Sequence, residues 1–288
     1  MFLIIGLAIV FGSIVSGYLM HHGVLAVLIQ LNELIIIGGS GFGAVVVANK
    51  PSTVKRIITE TLGLLKPSRY NRGTFTELLQ VLYDVFYAAR KDGLVGIESH
   101  VENPEESALF QKYPSFHGNH HAVAFLTDTM KVLLTGAVED HHLSEILDLD
   151  LEQHHSEAMA VPSALKTVAD AMPGFGIVAA VLGVIITMGK IGGSPSAVGE
   201  SVAAALVGTF LGILLSYGVI GPMANAIQSR VSAEERYLAT IRTALLSFSR
   251  GDPPITSVEF ARRNIEPEMR PSFSELEEMT RRRGRGDS

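Results

Sequence analysis

Hydrophobic residues are laid out in two textures along this chain. They run almost without interruption from Phe2 to Met20, from Val24 to Ala48, and twice more between Met172 and Pro222, where a Gly/Ser/Pro loop parts the two runs. Each run of the last pair is about 18 to 22 residues long, which at ~1.5 Å rise per residue matches the ~30 Å hydrocarbon core of a bilayer. The pattern predicts four transmembrane helices in two hairpins. Elsewhere the apolar positions recur with a helical period. Leu78, Leu79, Leu82, Val85 and Phe86 fall on one face, His120 to Val138 repeats the pattern, and Leu143 to Val168 gives a third helix that Pro162 should break or kink. No strand-like alternation of useful length occurs. The expected fold is therefore an all-α integral membrane protein, with transmembrane hairpins at 1–48 and 172–222, a helical cytoplasmic domain at 49–171, and a cytoplasmic C-terminal helix and tail at 223–288.

Basic residues set the orientation. Eleven Lys/Arg fall in 49–171 and eleven in 223–288, Lys190 is the one remaining, and the loop His21 to Gly23 has none. By the positive-inside rule both termini and the long middle segment are cytoplasmic. The first run lacks a basic stretch ahead of it and a small-x-small cleavage site, so it reads as a retained span rather than a signal peptide. With no cysteine in the chain, disulfides, thiolate metal sites and cysteine nucleophiles are removed from consideration. Arg281, Arg282, Arg283 and Arg285 near the C-terminus suit either contact with anionic lipid or a solvated tail. Nothing in the chain points to nucleic acid.

Little at membrane depth can carry charge. Between Phe175 and Gly189, and between Ser201 and Gly221, there is no Lys, Arg, Asp, Glu or His, and the polar groups there include Thr187, Thr209, Ser216 and Tyr217. Small residues recur at fourth positions, as Gly176 and Ala180, Ala179 and Gly183, and Ala204, Gly208 and Gly212. That spacing lets helix backbones approach closely, either within one protomer or against a partner helix. The second run contains Gln30, Asn32 and Glu33. An ionised Glu at bilayer centre costs on the order of 3 kcal/mol, so Glu33 should face protein or water. It reads as either an ion-handling carboxylate or a structural one bonded to a neighbour in the outer leaflet. An ion path needs a titratable or coordinating group at depth, and the second hairpin offers only hydroxyls. If ions pass beside it, a partner must bring the carboxylate.

Other chemistry is thin. Histidines cluster as His117, His120 and His121, as His141 and His142, and as His154 and His155, yet no HExxH motif and no clear third ligand accompanies them, so no metal site is expected. There is no phosphate loop, dinucleotide glycine fingerprint or nucleophile elbow. Neither a catalytic residue nor a cofactor is predicted, and the chain does not read as an enzyme.

Several longer motifs resemble one family. They are Pro173-Gly174-Phe175-Gly176-Ile177-Val178-Ala179-Ala180-Val181, Val207-Gly208-Thr209-Phe210-Leu211-Gly212-Ile213-Leu214-Leu215 and Tyr217-Gly218, with Gly17-Tyr18-Leu19-Met20, Glu33-Leu34, Glu102-Asn103-Pro104, Tyr113-Pro114, Val258-Glu259-Phe260 and Arg270-Pro271-Ser272-Phe273. Together they look like the MotA/TolQ/ExbB proton-channel family. Four spans and the C-terminal motif favour its MotA branch, the flagellar motor stators, over three-span relatives. The resemblance implies an inner-membrane ring, a pentamer around two single-span MotB chains that supply the essential aspartate and the peptidoglycan anchor. It also implies torque on the rotor protein FliG. Arg90 and Glu98 match the family's charged pair that engages FliG. Pro173 and Pro222 match the prolines that couple ion flow to movement, although spacing alone also allows simple helix ends. Thr209 matches the hydroxyl near the ion path, and Ala180 stands where sodium-driven relatives carry threonine. Thr187 and Tyr217 are further candidates beside that path. A proton needs only a titratable carboxylate, whereas sodium needs several oxygen ligands, so proton coupling is expected. The alternatives are a TolQ/ExbB-like subunit energising another envelope process, a self-contained transporter using Glu33, and a non-conducting scaffold.

Overall fold

In the computed structural model, which describes residues 2–136, 138–189, 192 and 194–284, every regular element is helical. Lys190 and Arg285, weighed above, lie outside the described residues. In chain order the α-helices are α1 (Phe2–Met20), α2 (Leu25–Leu28), α3 (Leu31–Ala48), α4 (Pro51–Gly63), α5 (Arg72–Lys91), α6 (Glu98–Glu102), α7 (Pro114–His117), α8 (His120–Leu134), α9 (Asp140–Ala158), α10 (Ala160–Met188), α11 (Pro195–Ile213), α12 (Gly221–Ser249), α13 (Pro254–Asn264) and α14 (Phe273–Gly284). Four helical stretches are long and apolar enough to cross a membrane. The chain divides into two units, Met1–Pro67 with Ala158–Arg230 and Ser68–Glu157 with Val231–Ser288.

The first unit holds all four apolar runs. Its core is narrow: Ile37, Val45, Val168, Met172 and Ala179 form one cluster, and Leu64, Val161, Leu165, Ala224 and Ile227 form another. Large apolar side chains such as Ile177, Val181, Ile185 and Leu206 point outward instead. An exposed surface of that kind suits hydrocarbon, where an outward Ile gains nothing by turning in. The second run is not one helix. It breaks at Ile29 and Gln30, whose backbone is not helical, and the Gln30 amide donates to the Val27 carbonyl at 3.1 Å. Glu33 consequently lies in the first turn of α3 rather than in mid-helix, where the positive end of the helix dipole favours a carboxylate. At the far side of this unit Arg230 donates to the carbonyls of Gly63 (2.7 Å), Leu64 (3.4 Å) and Lys66. One guanidinium thereby satisfies acceptors that the end of α4 leaves without an intrahelical donor. Pro162 falls in the first turn of α10, just after the helix interruption at Met159, as its missing N–H requires.

The second unit has a conventional core. α5 begins at Asn71, whose side chain accepts from the Thr74 N–H at 3.2 Å, and it buries Leu78, Leu79, Leu82, Val85 and Phe86 on the face the sequence pattern predicts. Phe86 stacks on Phe248 with centroids 4.4 Å apart and planes inclined by 6°, while Tyr237 is enclosed by Tyr70 and Phe75. α13 is tied down by charge. Arg262 donates from Nε and Nη2 to the two Glu259 carboxylate oxygens at 2.6 and 2.8 Å, and from Nη1 to the Pro271 carbonyl at 2.9 Å, while Arg263 adds a 2.7 Å bond to Glu259.

Hydrogen bonds from Arg262, ahead of the opposing effect of burial, hold the Glu259 carboxyl below its ordinary range. A carboxylate lowered in the folded state contributes stability that is present above its unfolded value, about 4.3, and is lost as pH falls through the folded value. Glu259→Gln should therefore lower stability by on the order of 1–2 kcal/mol at neutral pH. In thermal melts of the detergent-solubilised chain, the gap between wild type and variant should narrow as pH drops below about 4.

Candidate functional site

Two helices of the first unit, α10 and α11, approach closely enough that only backbone fits between them. A Cβ on Gly176 would lie 2.9 Å from the Gly208 carbonyl oxygen and 3.1 Å from the Gly212 Cα, and one on Gly212 would lie 2.7 Å from the Met172 carbonyl oxygen. Further along, a Cβ on Gly183 would meet the Ala205 Cβ at 2.7 Å. The fourth-position spacing of small residues thus builds an intramolecular seam. The alternative that this stripe waits for a partner helix does not hold for Gly176, Gly183, Gly208 and Gly212, whose near atoms belong to this chain.

Glu33 reaches this seam from α3. Its Oε2 would stand 2.8 Å from a Cβ on Gly208, which itself would lie 3.0 Å from the Ala179 Cβ and 3.3 Å from the Ala180 backbone nitrogen. Glu33 is 7% exposed, and its Oε2 is buried with no hydrogen-bond partner. The sequence left open a structural carboxylate bonded to a neighbour; for Oε2 no such bond is present. The absence of a side chain on Gly208 is what makes room for the carboxylate, so a residue from the first hairpin and one from the second form a single small site. That juxtaposition spans 175 positions of chain and has no signature in local sequence.

The remaining expected residues distribute around this site unevenly. Ala180 and Thr209 are half-buried, Ala180 adjoining Gly208 and the Thr209 backbone facing Gly176. Thr187 is buried, and its hydroxyl donates to the Gly183 carbonyl of its own helix at 2.7 Å. Tyr217 is 72% exposed. Pro173 does not end a helix: α10 runs through it, and the neighbouring Met172 carbonyl is the one that meets Gly212. Pro222 follows a π-helical segment, Leu214–Ile220, in which the Gly221 N–H donates to the Ser216 carbonyl. Pro222 has no N–H to give the Gly218 carbonyl and its ring crowds that oxygen, so the wider turn relieves both problems without breaking the helix. Neither proline is thus a plain terminus.

Arg90 and Glu98 belong to the second unit and are exposed. Arg90, in the last turn of α5, donates to the Gly251 carbonyl at 2.5 Å, where Gly251 holds φ +88°. Glu98 opens α6 after a turn of 3₁₀-helix at Leu94–Ile97 that Gly93, at φ +75°, allows.

Residues 4–93 match the family described as Motility protein A N-terminal, and residues 118–240 match the MotA/TolQ/ExbB proton channel family. Motility protein A of Escherichia coli (strain K12) is 35% identical over 281 residues, covering 98% of this chain and 95% of that protein. The fold is similar to the structure of C. jejuni MotAB, with a TM-score of 0.77 at 19% identity over 94% of this chain and 98% of the other. It is also similar to the flagellar MotAB stator complex of Bacillus subtilis, with a TM-score of 0.71 at 21% identity over 89% and 92%. Two matched segments and end-to-end identity above the level of shared fold place the chain in the motility protein A family, within the MotA/TolQ/ExbB proton channel family.

Proposed function

We propose that this chain is the stator subunit of a bacterial flagellar motor, forming with a MotB-type partner an ion channel whose flow drives torque on the rotor. The end-to-end likeness to motility protein A carries this reading. The site adds physical support. The sequence of α10 and α11 at membrane depth offers hydroxyls and no carboxylate of its own, and the outward apolar faces are available to lipid, to further copies, or to a single-span helix. The assembly would be a pentamer around two MotB helices in the inner membrane, with both termini cytoplasmic as the loop charges favour. In that assembly the partner's aspartate would act near Thr209 and Ala180, with Thr187 and Tyr217 as secondary positions. Movement would pass through Pro173 and Pro222, and Arg90 and Glu98 would meet FliG. The missing hydroxyl at Ala180 supports protons as the coupling ion.

The test is deletion of this chain in its host. Cells should assemble filaments and fail to swim, and plasmid-borne wild type should restore swimming where Arg90→Glu restores little of it. Unimpaired swimming in the deletion strain would overturn the reading. Swimming speed that tracks sodium at constant proton-motive force would overturn the choice of ion while leaving the stator role intact.

A further inference from the structure

Three helices of the second unit bring together side chains that are far apart in sequence. His121 lies in the first turn of α8, His154 near the end of α9, and Glu234 on α12. The Glu234 Oε1 stands 3.1 Å from the His121 Nδ1 and 3.6 Å from the His154 Nε2. One ligand atom from each residue lies within 4.8 Å of the others, and the two imidazole rings meet edge to face with centroids 4.9 Å apart. Sequence offered the histidines without a third ligand, and the fold supplies it.

We propose that His121, His154 and Glu234 form a binding site for a divalent transition metal ion of the zinc class. Two imidazoles and a carboxylate suit such ions, and bonds of about 2.0–2.1 Å in a tetrahedral arrangement put neighbouring ligand atoms roughly 3.3 Å apart. The separations of 3.1 and 3.6 Å bracket that edge. The His154 Nε2 is buried and has no hydrogen-bond partner. At 3.6 Å from the carboxylate it is too distant for a hydrogen bond and well placed for a bridging ion.

The surroundings favour a cation as well. Among the described residues, the ion-pair partners of Glu234 are these two histidines, with no Lys or Arg competing for its charge. Tyr70 interacts with the same carboxylate through its side chain and accepts from the Asn119 Nδ2 at 3.2 Å. Tyr70 thus stands beside the carboxylate as an outer-shell group. Asn119, which caps α8 by accepting from the Ala122 N–H at 3.4 Å, fixes the turn that presents His121. His121 is exposed while the other two are partly covered, so the ion would keep a water-filled fourth position and exchange with solvent. Binding would tie α8, α9 and α12 together. The cluster of Glu139, His141 and His142 is fully exposed and has no buried unpartnered atom, which makes it the natural control.

The experiment is titration of the full-length, chelator-stripped chain in detergent with Zn2+ alone, followed by Co2+ for its visible ligand-field spectrum. Wild type should take up one tight equivalent, and His121→Ala and Glu234→Gln should each weaken it by roughly a hundredfold. His141→Ala should leave it unchanged. His121 is at the surface, so its truncation leaves the fold intact and a loss of binding is a loss of ligand. Zn2+ uptake by His121→Ala and Glu234→Gln equal to that of wild type, or no tight equivalent in wild type, would overturn the proposal. So would a Co2+ spectrum that does not respond to His121→Ala.

Discussion

Gly212→Val should abolish swimming, and even Gly212→Ala should measurably destabilise the purified chain. The reason lies in what Gly212 faces. A Cβ there would stand 2.7 Å from the Met172 carbonyl oxygen and 2.9 Å from the Gly176 Cα, and both are backbone atoms that cannot rotate away. The helices α10 and α11 would have to part by several tenths of an ångström along a seam in which Gly176, Gly183 and Gly208 are packed just as tightly. Overpacking of this kind costs about 1–3 kcal/mol for a single added group, and the two further methyls of valine meet the same wall. Separation also removes dispersion contacts, the main adhesive between helices in lipid. Gly174 provides the contrast, since a Cβ there would have nothing within 4 Å in this chain. Gly174→Ala should leave the melting temperature of the purified chain unchanged or slightly raised, because alanine is the better helix former by up to ~1 kcal/mol. Equal melting behaviour of Gly212→Val and Gly174→Ala would mean that the seam does not hold the hairpin.

Gly208 would respond differently, and the difference connects the fold to the proposed function. Its near neighbours include the Glu33 Oε2, the far end of a side chain that can move. Gly208→Ala should therefore cost less stability than Gly212→Ala while displacing Glu33 from beside Ala180. Impaired swimming with near-normal melting would assign the vacancy beside Gly208 to function rather than to packing.

How much of this was legible in the sequence follows from the range of each interaction. The long apolar runs announced the membrane helices, because spanning is a property of about twenty consecutive residues. The α5 face was equally plain, since Leu78, Leu82 and Phe86 repeat within one helix. The break at Gln30 was hidden, because Gln30, Asn32 and Glu33 are as compatible with an unbroken helix as with a new start. The paths through Pro173 and Pro222 were hidden for another reason: a proline's local penalty predicts an end or a kink, and only packing against a neighbouring helix decides that the chain continues. Glu33 meeting Gly208, and Glu234 completing the pair His121 and His154, are contacts across three or more elements. No local pattern encodes them. The family resemblance singled out Arg90, Glu98 and Thr209 as candidates, while the physical surroundings of those residues came from the fold.

Phe86→Ala should be the most damaging single truncation in the second unit. Phe86 is fully buried and stacks face to face on Phe248, and deletion of such a ring costs about 3–5 kcal/mol through lost transfer energy and the cavity left behind. Against a total of roughly 5–15 kcal/mol this is a large fraction, and the melting transition should fall by on the order of 10 °C. The loss should also reach the surface. Arg90 stands one helical turn beyond Phe86 on α5, and its bond to the Gly251 carbonyl joins α5 to the turn just after Phe248. The stack and that bond therefore clasp the same two segments at neighbouring levels. With the stack removed, amide hydrogen exchange should accelerate across Ala88 to Lys91 and around Gly251, while Val45 and Ala179 in the first unit should keep their protection. Swimming should be lost together with the order around Arg90. A variant that melts lower yet keeps slow exchange at Ala89 and full swimming would separate the core from the presentation of Arg90, and the clasp would then have no part in torque.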